Sequence, residues 1–276
     1  DVLRRTRPIF PLLAMLSSDC WEHAHGQTRA LLSSEGGLVP IRIPSIEGVR
    51  CRGKARRGGF FSETYSIFAM FTLSQYRAIL YLDTDLAVLR NLDHILEDML
   101  ESWPLLAQAR TPQACRTLDH PEGDDRLREE ALDRWNTGVW AVQPSNAVFR
   151  SLVNFLQNGS NFRCNIGFQG AATTFFNRQG RYIKTKPEDA LRLHVGYNLK
   201  PDVLSVQKCL ARQGLNRSHV HVVHWSGDRK PWDVTPGHEP VEARALWLYM
   251  TSFCRHSMAL NSSMPAKGAQ MCRVLR

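Results

Sequence analysis

Ala78-Ile79-Leu80-Tyr81-Leu82-Asp83-Thr84-Asp85 is the stretch on which the reading of this chain turns. Five residues without a charge follow Arg77, the pattern of a short strand buried on both faces of a parallel sheet. The run ends in two aspartates with one residue between them. In a regular strand, residues two apart share a face, so both carboxylates project the same way. Two carboxylates at the mouth of a sheet are costly unless a positive charge sits on them. Hard oxygen donors suit Mg²⁺ or Mn²⁺, and both ions bridge diphosphates well. In open α/β sheets, ligands gather at the carboxyl ends of strands. Aspartates capping a strand-to-loop turn would leave the same letters, so the pair needs support from elsewhere.

Working outward, strands are expected over Ile9–Leu16, Leu38–Ile43, Arg77–Leu82, Leu105–Ala109, Gly138–Val142 and Val220–Val223. Helices are expected over Glu22–Leu32, from Ser145 to Gln157, over Gln169–Asn177 and over Glu242–Phe253. Phe60 to Leu73 is apolar with helical spacing, and Asp119–Arg134 reads as an exposed acidic loop or helix. Ser145 is a natural N-cap, and Val148, Phe149, Leu152, Val153 and Leu156 fall on one face behind it. Alternating strands and helices point to an α/β fold, a mostly parallel sheet with helices on both faces. No repeat, low-complexity tract or linker divides the chain. One domain over residues 1–276 is expected, with a core of about 8–235 and a C-terminal helix and tail over 236–276.

The 276 residues are 43% hydrophobic, enough for a sizeable core, and carry a formal net charge of +9. A basic chain suits a phosphate-bearing ligand, a nucleic acid or an anionic membrane surface. The excess is local, in Arg4-Arg5-Thr6-Arg7 and in Arg50 to Gly59. Aromatic residues do not alternate with these basic ones, which argues against a nucleic-acid surface. The seven cysteines form no Cys-x-x-Cys pair, so a zinc ribbon or thioredoxin-type site is not expected. Asn158, Asn216 and Asn261 lie in glycosylation sequons. No apolar run is long enough to span a membrane.

Three further groups can carry chemistry. His224-Trp225-Ser226-Gly227-Asp228-Arg229-Lys230-Pro231-Trp232 closes a strand with a histidine and adds a glycine and a lysine suited to phosphate. His219 and His221 lie upstream. In a regular strand they face away from His224, so His224 is read separately and the other two as surface-strand residues. Trp135-Asn136-Thr137-Gly138-Val139-Trp140 offers Asn and Thr for sugar hydroxyls, or for a turn. Gly167-Phe168-Gln169-Gly170 is a glycine-flanked helix start from which Gln169 can reach a ligand.

From about Phe10 to Trp232, the order and spacing of these groups resemble glycosyltransferase family 8, the glycogenin-like retaining hexosyltransferases. The Asp83-Thr84-Asp85 strand, with Val88-Leu89-Arg90-Asn91-Leu92-Asp93 after it, looks like the family's Asp-x-Asp strand. WNTGVWAVQPS, Trp135 to Ser145, is similar to its Asn-Ser-Gly strand. HWSGDRKPW, His224 to Trp232, matches His-x-x-Gly-x-x-Lys-Pro-Trp with the spacing intact. The resemblance implies a GT-A fold with a Rossmann-like sheet, a manganese (or magnesium) ion, and a UDP-linked sugar as donor. It implies that Asp83, Asp85 and His224 hold the metal. Gly227 and Lys230 would meet the diphosphate, and Thr84, Asn136, Thr137 and Gln169 would meet the donor. It puts catalysis at positions 165 and 169, here Asn165 and Gln169. The implied partners are a nucleotide-sugar donor and a glycan or glycoprotein acceptor, with no nucleic acid. The implied compartment is the Golgi or another secretory lumen ahead of the cytoplasm.

The sequence also departs from that family. Phe168 and Asn165 stand where aspartates are expected, and Ile67 stands where a lysine is expected. The first strand of the fold, which cradles the nucleotide base, is missing from the aligned region. Two alternatives stay open: a non-catalytic relative that binds metal and nucleotide only, and a basic nucleic-acid-binding module. The latter would bind DNA or RNA with a steep salt dependence that survives Asp83→Ala.

Overall fold

The computed structural model describes residues 9–23, 38–51, 63–102, 106–110, 135–158, 162, 167–178, 191–200, 210–211 and 214–226. Strand β1 (Leu12–Ser17) runs into a short helix α1 (Ser18–His23) and pairs in parallel with β2 (Leu38–Ile43). A 3-10 helix, Glu63–Thr72, precedes β3 (Ile79–Leu82) and β4 (Leu86–Val88). Helix α2 (Asp93–Ser102) and β5 (Leu106–Arg110) follow, then β6 (Trp135–Val142), α3 (Asn146–Gln157), α4 (Gly167–Arg178), β7 (Leu191–Leu193) and β8 (Val222–His224). Two 3-10 turns, Val195–Tyr197 and Arg217–His219, lie between β7 and β8.

The expected α/β alternation is present. The strand directions are mixed rather than mostly parallel: β5 runs parallel to β7, but β6 lies antiparallel to both β3 and β5, and β4 antiparallel to β8. Strand order in the largest sheet is β3-β6-β5-β7. β6 is therefore internal, and its apolar residues serve both faces. Trp140 and Val142 join a cluster with the Glu63–Thr72 helix, α3 and α4, while Val139 and Ala141 join one with Ile95 and Met99 of α2.

Helix α3 starts where the sequence places it. The Ser145 hydroxyl accepts from the Val148 N–H at 3.4 Å, and Leu152, Phe155 and Leu156 are buried. Helix α2, which was not anticipated, begins behind Asn91, whose side-chain oxygen accepts from the Asp93 N–H at 2.8 Å. Residues Tyr65 to Phe71 are all buried, so that segment shows no polar stripe, and it winds as a 3-10 helix. Ile67 is fully buried there, a core residue. The helix expected over Glu22–Leu32 is met only at its start, where α1 covers Ser18–His23, and residues 24–32 lie outside the described residues. So do the acidic Asp119–Arg134 segment and the Glu242–Phe253 helix. No described helix is long and apolar enough to cross a membrane.

One irregularity matters for the site. Gln108 of β5 pairs with Trp140 of β6, but Ala109 pairs with Asn136. Thr137, Gly138 and Val139 therefore have no partner in β5, and β6 bulges there. On its other side β6 stays in register, with Leu82 opposite Val139 and the Asp83 N–H donating to the Gly138 carbonyl at 2.8 Å.

Candidate metal centre

Beside the bulge, two distant parts of the chain come together. Asp83 follows β3, Asp85 precedes β4, and His224 ends β8, where it pairs with Leu86. The Trp225 N–H donates to the Asp85 carbonyl at 2.9 Å, fixing β8 against the acidic turn. Nε2 of His224 lies 3.1 Å from Oδ1 of Asp85 and 3.5 Å from Oδ2 of Asp83. One donor atom from each of the three lies within 4.8 Å of the other two. The side chains are 14% (Asp83), 6% (Asp85) and 3% (His224) exposed. Two carboxylates and one imidazole, nearly dry, are a donor set that a divalent cation of the Mn²⁺ or Mg²⁺ type fits.

Two of the three donors are held from behind. The Tyr81 hydroxyl donates to Oδ1 of Asp83 at 2.8 Å. Burial first, then the Asp83 and Asp85 carboxylates, push the Tyr81 phenol well above its ordinary value, so it stays a donor. Asn198, 1% exposed, lies 2.8 Å from Nδ1 of His224 and donates from Nδ2 to Oδ1 of Asn136 at 2.7 Å. The same Asn136 oxygen accepts from the Gly138 N–H at 2.9 Å. Gly138 must be glycine: a Cβ there would sit 2.2 Å from Cε1 and 2.5 Å from Nδ1 of His224. The Asn-Thr-Gly segment thus supports the imidazole, a role the sequence did not disclose.

The structure joins Asp83, Asp85 and His224 as read from the sequence. Thr84 lies between the two acids. Asn136 is half-buried with its oxygen engaged, and Thr137 is 2% exposed. Gln169 is half-buried in the first turn of α4, which opens on Gly167 at φ 55°. Phe168 beside it is buried among Phe68, Tyr81 and Trp140, with its ring 6.1 Å from that of Tyr81. Asn165, Gly227 and Lys230 lie outside the described residues.

Tyr81 and Asn198 were missed. Tyr81 was legible in principle, since it shares a strand face with Asp83. Asn198 follows a single 3-10 turn with no periodic signal around it.

His219 and His221 do not stand on a strand surface. His219 closes a 3-10 turn, its Nδ1 accepting from the Asn216 N–H at 3.1 Å. His221 stacks on Tyr197 with ring centroids 4.2 Å apart, beside His94 and His194. Among the described residues, neither belongs to the group of donors around Asp83 and Asp85. Burial, with His94, His194 and Arg90 nearby, pushes the His221 imidazole down to about 4. Its free-chain value is near 6.5, so the unfolded chain takes up the proton first. Stability should therefore fall as pH drops from about 6.5 towards 4. His221→Phe keeps the stacking and cannot take up the proton, so its melting temperature should fall less over that interval.

Comparison with known proteins follows the same lines. The model of the family "Glycosyl transferase family 8" matches residues 58–235. Inositol phosphorylceramide glucuronosyltransferase 1 of Arabidopsis thaliana is 25% identical over 186 residues, 63% of this chain and 29% of that protein. Glycogenin-1 of Oryctolagus cuniculus is 25% identical over 171 residues, 60% of this chain and 40% of that protein. The chain thus spans well under half the length of these relatives. Among solved structures, an active-site mutant of LgtC aligns with a TM-score of 0.56 and 14% identity, covering 93% of this chain and 98% of that one. The galactosyltransferase LgtC with donor and acceptor sugar analogues aligns with a TM-score of 0.51 and 15% identity, covering 88% of this chain and 84% of that one.

Proposed function

Because this chain belongs to glycosyltransferase family 8 and carries the GT-A fold, we propose that it is a metal-dependent transferase. It moves a hexosyl or pentosyl unit from a nucleotide-sugar, UDP-linked, to a glycan or protein acceptor with retention of configuration. The observation that carries this reading is the convergence of Asp83, Asp85 and His224 to within one cation's reach.

In this reading Asp83, Asp85 and His224 hold Mn²⁺ or Mg²⁺, which when bound neutralises charge building on the departing diphosphate. Tyr81 keeps Asp83 in place through its hydroxyl. The oxygen of Asn136 is committed to Gly138 and Asn198, so its Nδ2 is the atom left to meet the donor. Gln169 meets the donor from the first turn of α4, and Gly227 and Lys230 meet the diphosphate. A secretory lumen suits the disulfide at Cys51 and the three sequons.

A screen of UDP- and GDP-sugars for Mn²⁺-dependent hydrolysis or transfer by the full-length protein tests it. Release of sugar from a UDP donor, lost on adding a chelator, is the expected result. Tight UDP binding with no turnover of any donor would instead support the second reading, a non-catalytic relative. One observation favours that alternative: Phe168 is locked in the aromatic cluster and offers no hydrogen bond where the family carries a carboxylate.

A further inference from the structure

The position of a proton on His224 follows from a backbone amide in a different strand. The Gly138 N–H can only donate, and it donates to Asn136 at 2.9 Å. The Asn136 atom facing it is therefore its oxygen. That oxygen also meets the Asn198 amide at 2.7 Å, so Asn198 turns its NH₂ there. The other end of the Asn198 amide is then its oxygen, 2.8 Å from Nδ1 of His224. A carbonyl oxygen only accepts, so Nδ1 carries the proton. In the neutral imidazole this leaves the lone pair on Nε2, the nitrogen that faces Asp85 and Asp83.

We infer that Asn198 is a positioning residue: it sets the tautomer and ring plane of His224, and thereby the cation affinity of the Asp83–Asp85–His224 group. The inference rests on the metal reading above. It draws on the rigidity of the site around Asn198. The side chain is 1% exposed, and its own N–H donates to the Val195 carbonyl at 3.1 Å. The Leu199 N–H donates to the Val222 carbonyl at 3.0 Å, and the His224 N–H to the Leu199 carbonyl at 2.9 Å. Leu199, next to Asn198, is thus tied to His224 backbone to backbone, and Asn198 to His224 side chain to side chain. The direction of every hydrogen bond in the chain is dictated by the Gly138 amide, so the amide of Asn198 has one acceptable orientation. Groups behind a metal-bound imidazole commonly fix its tautomer in this way.

The test uses the full chain without nucleotide or sugar. Mn²⁺ titration of Asn198→Ala and Asn198→Leu should show affinity ~10–100-fold weaker than wild type. Long-range proton–nitrogen spectra of the imidazoles in mildly alkaline buffer should show wild-type His224 protonated at Nδ1, and a mixture of tautomers in both variants. Asn198→Asp gives up the bond to Asn136 but keeps an oxygen towards Nδ1, so it should hold the proton on Nδ1, which a merely structural role would not produce. Unchanged Mn²⁺ affinity in the two variants overturns the inference, as does a wild-type imidazole protonated at Nε2. The wild-type spectrum needs no variant, so it judges the inference even if a variant fails to fold. A wild-type chain that binds Mn²⁺ with these properties and transfers no sugar removes the catalytic reading alone.

Discussion

Asp85→Asn should weaken Mn²⁺-dependent UDP binding by more than about 100-fold, because even losing a group behind a ligand costs ~10–100-fold. Asp85 is 4% exposed, and its Oδ1 is the oxygen nearest Nε2 of His224. Asparagine has the same shape and can turn its NH₂ to the lone pair of that nitrogen, so the strands should hold. The diagnostic part is stability without metal. Asp83 and Asp85 place two like charges beside one imidazole. A binding site stores such repulsion for its ligand, so removing one charge should leave the metal-free melting temperature unchanged or raise it. A structural ion pair would behave oppositely, since leaving its partner buried and unpaired is destabilising. Calorimetric titration with UDP and Mn²⁺, beside thermal melts in a chelator, separates the two. Wild-type UDP affinity in Asp85→Asn would remove the metal assignment.

Gly138→Ala should abolish the same binding by a different route, and here the melt should suffer as well. The added methyl would stand 2.2 Å from Cε1 of His224 and 3.0 Å from Oδ1 of Asn136. Neither neighbour can step aside: His224 is 3% exposed, bonded through Nδ1 to Asn198 and set against Asp85 at Nε2, and Asn136 holds both Gly138 and Asn198. Overpacking of this kind costs ~1–3 kcal/mol. The imidazole must also shift, and three donors set for one ion do not tolerate a shift of one of them. Mn²⁺ titration and a melt read both effects. Wild-type affinity in Gly138→Ala would mean that the imidazole is not held by this contact.

The Asp83, Asp85 and His224 group was legible because its parts are local signals. An apolar strand ending in Asp-x-Asp and a histidine closing a later strand each announce themselves in a few letters. The face of α3 was legible from its spacing and from Ser145. What escaped the sequence depends on contacts between distant segments. The direction of β6 is set by where it returns between β3 and β5. Its bulge arises from pairing on both sides, which no run of residues encodes. Glu63–Thr72 is buried almost all round, so apolar spacing cannot tell a 3-10 helix from an α-helix there. His221 reads as a strand histidine until Tyr197 is placed against it.

The contact between Asp85 and His224 spans 139 positions of sequence, and β8 has only three residues to hold it against β4. An ion seated between them would work as a clasp as much as a reagent. The free energy of gripping it adds to that of keeping the last described strand docked, by mass action. Starved of such an ion, the chain would fray first at β8, and with it would go the imidazole that recaptures the ion. Losing the metal and losing the strand would then be one event, and the centre would act as a cooperative latch.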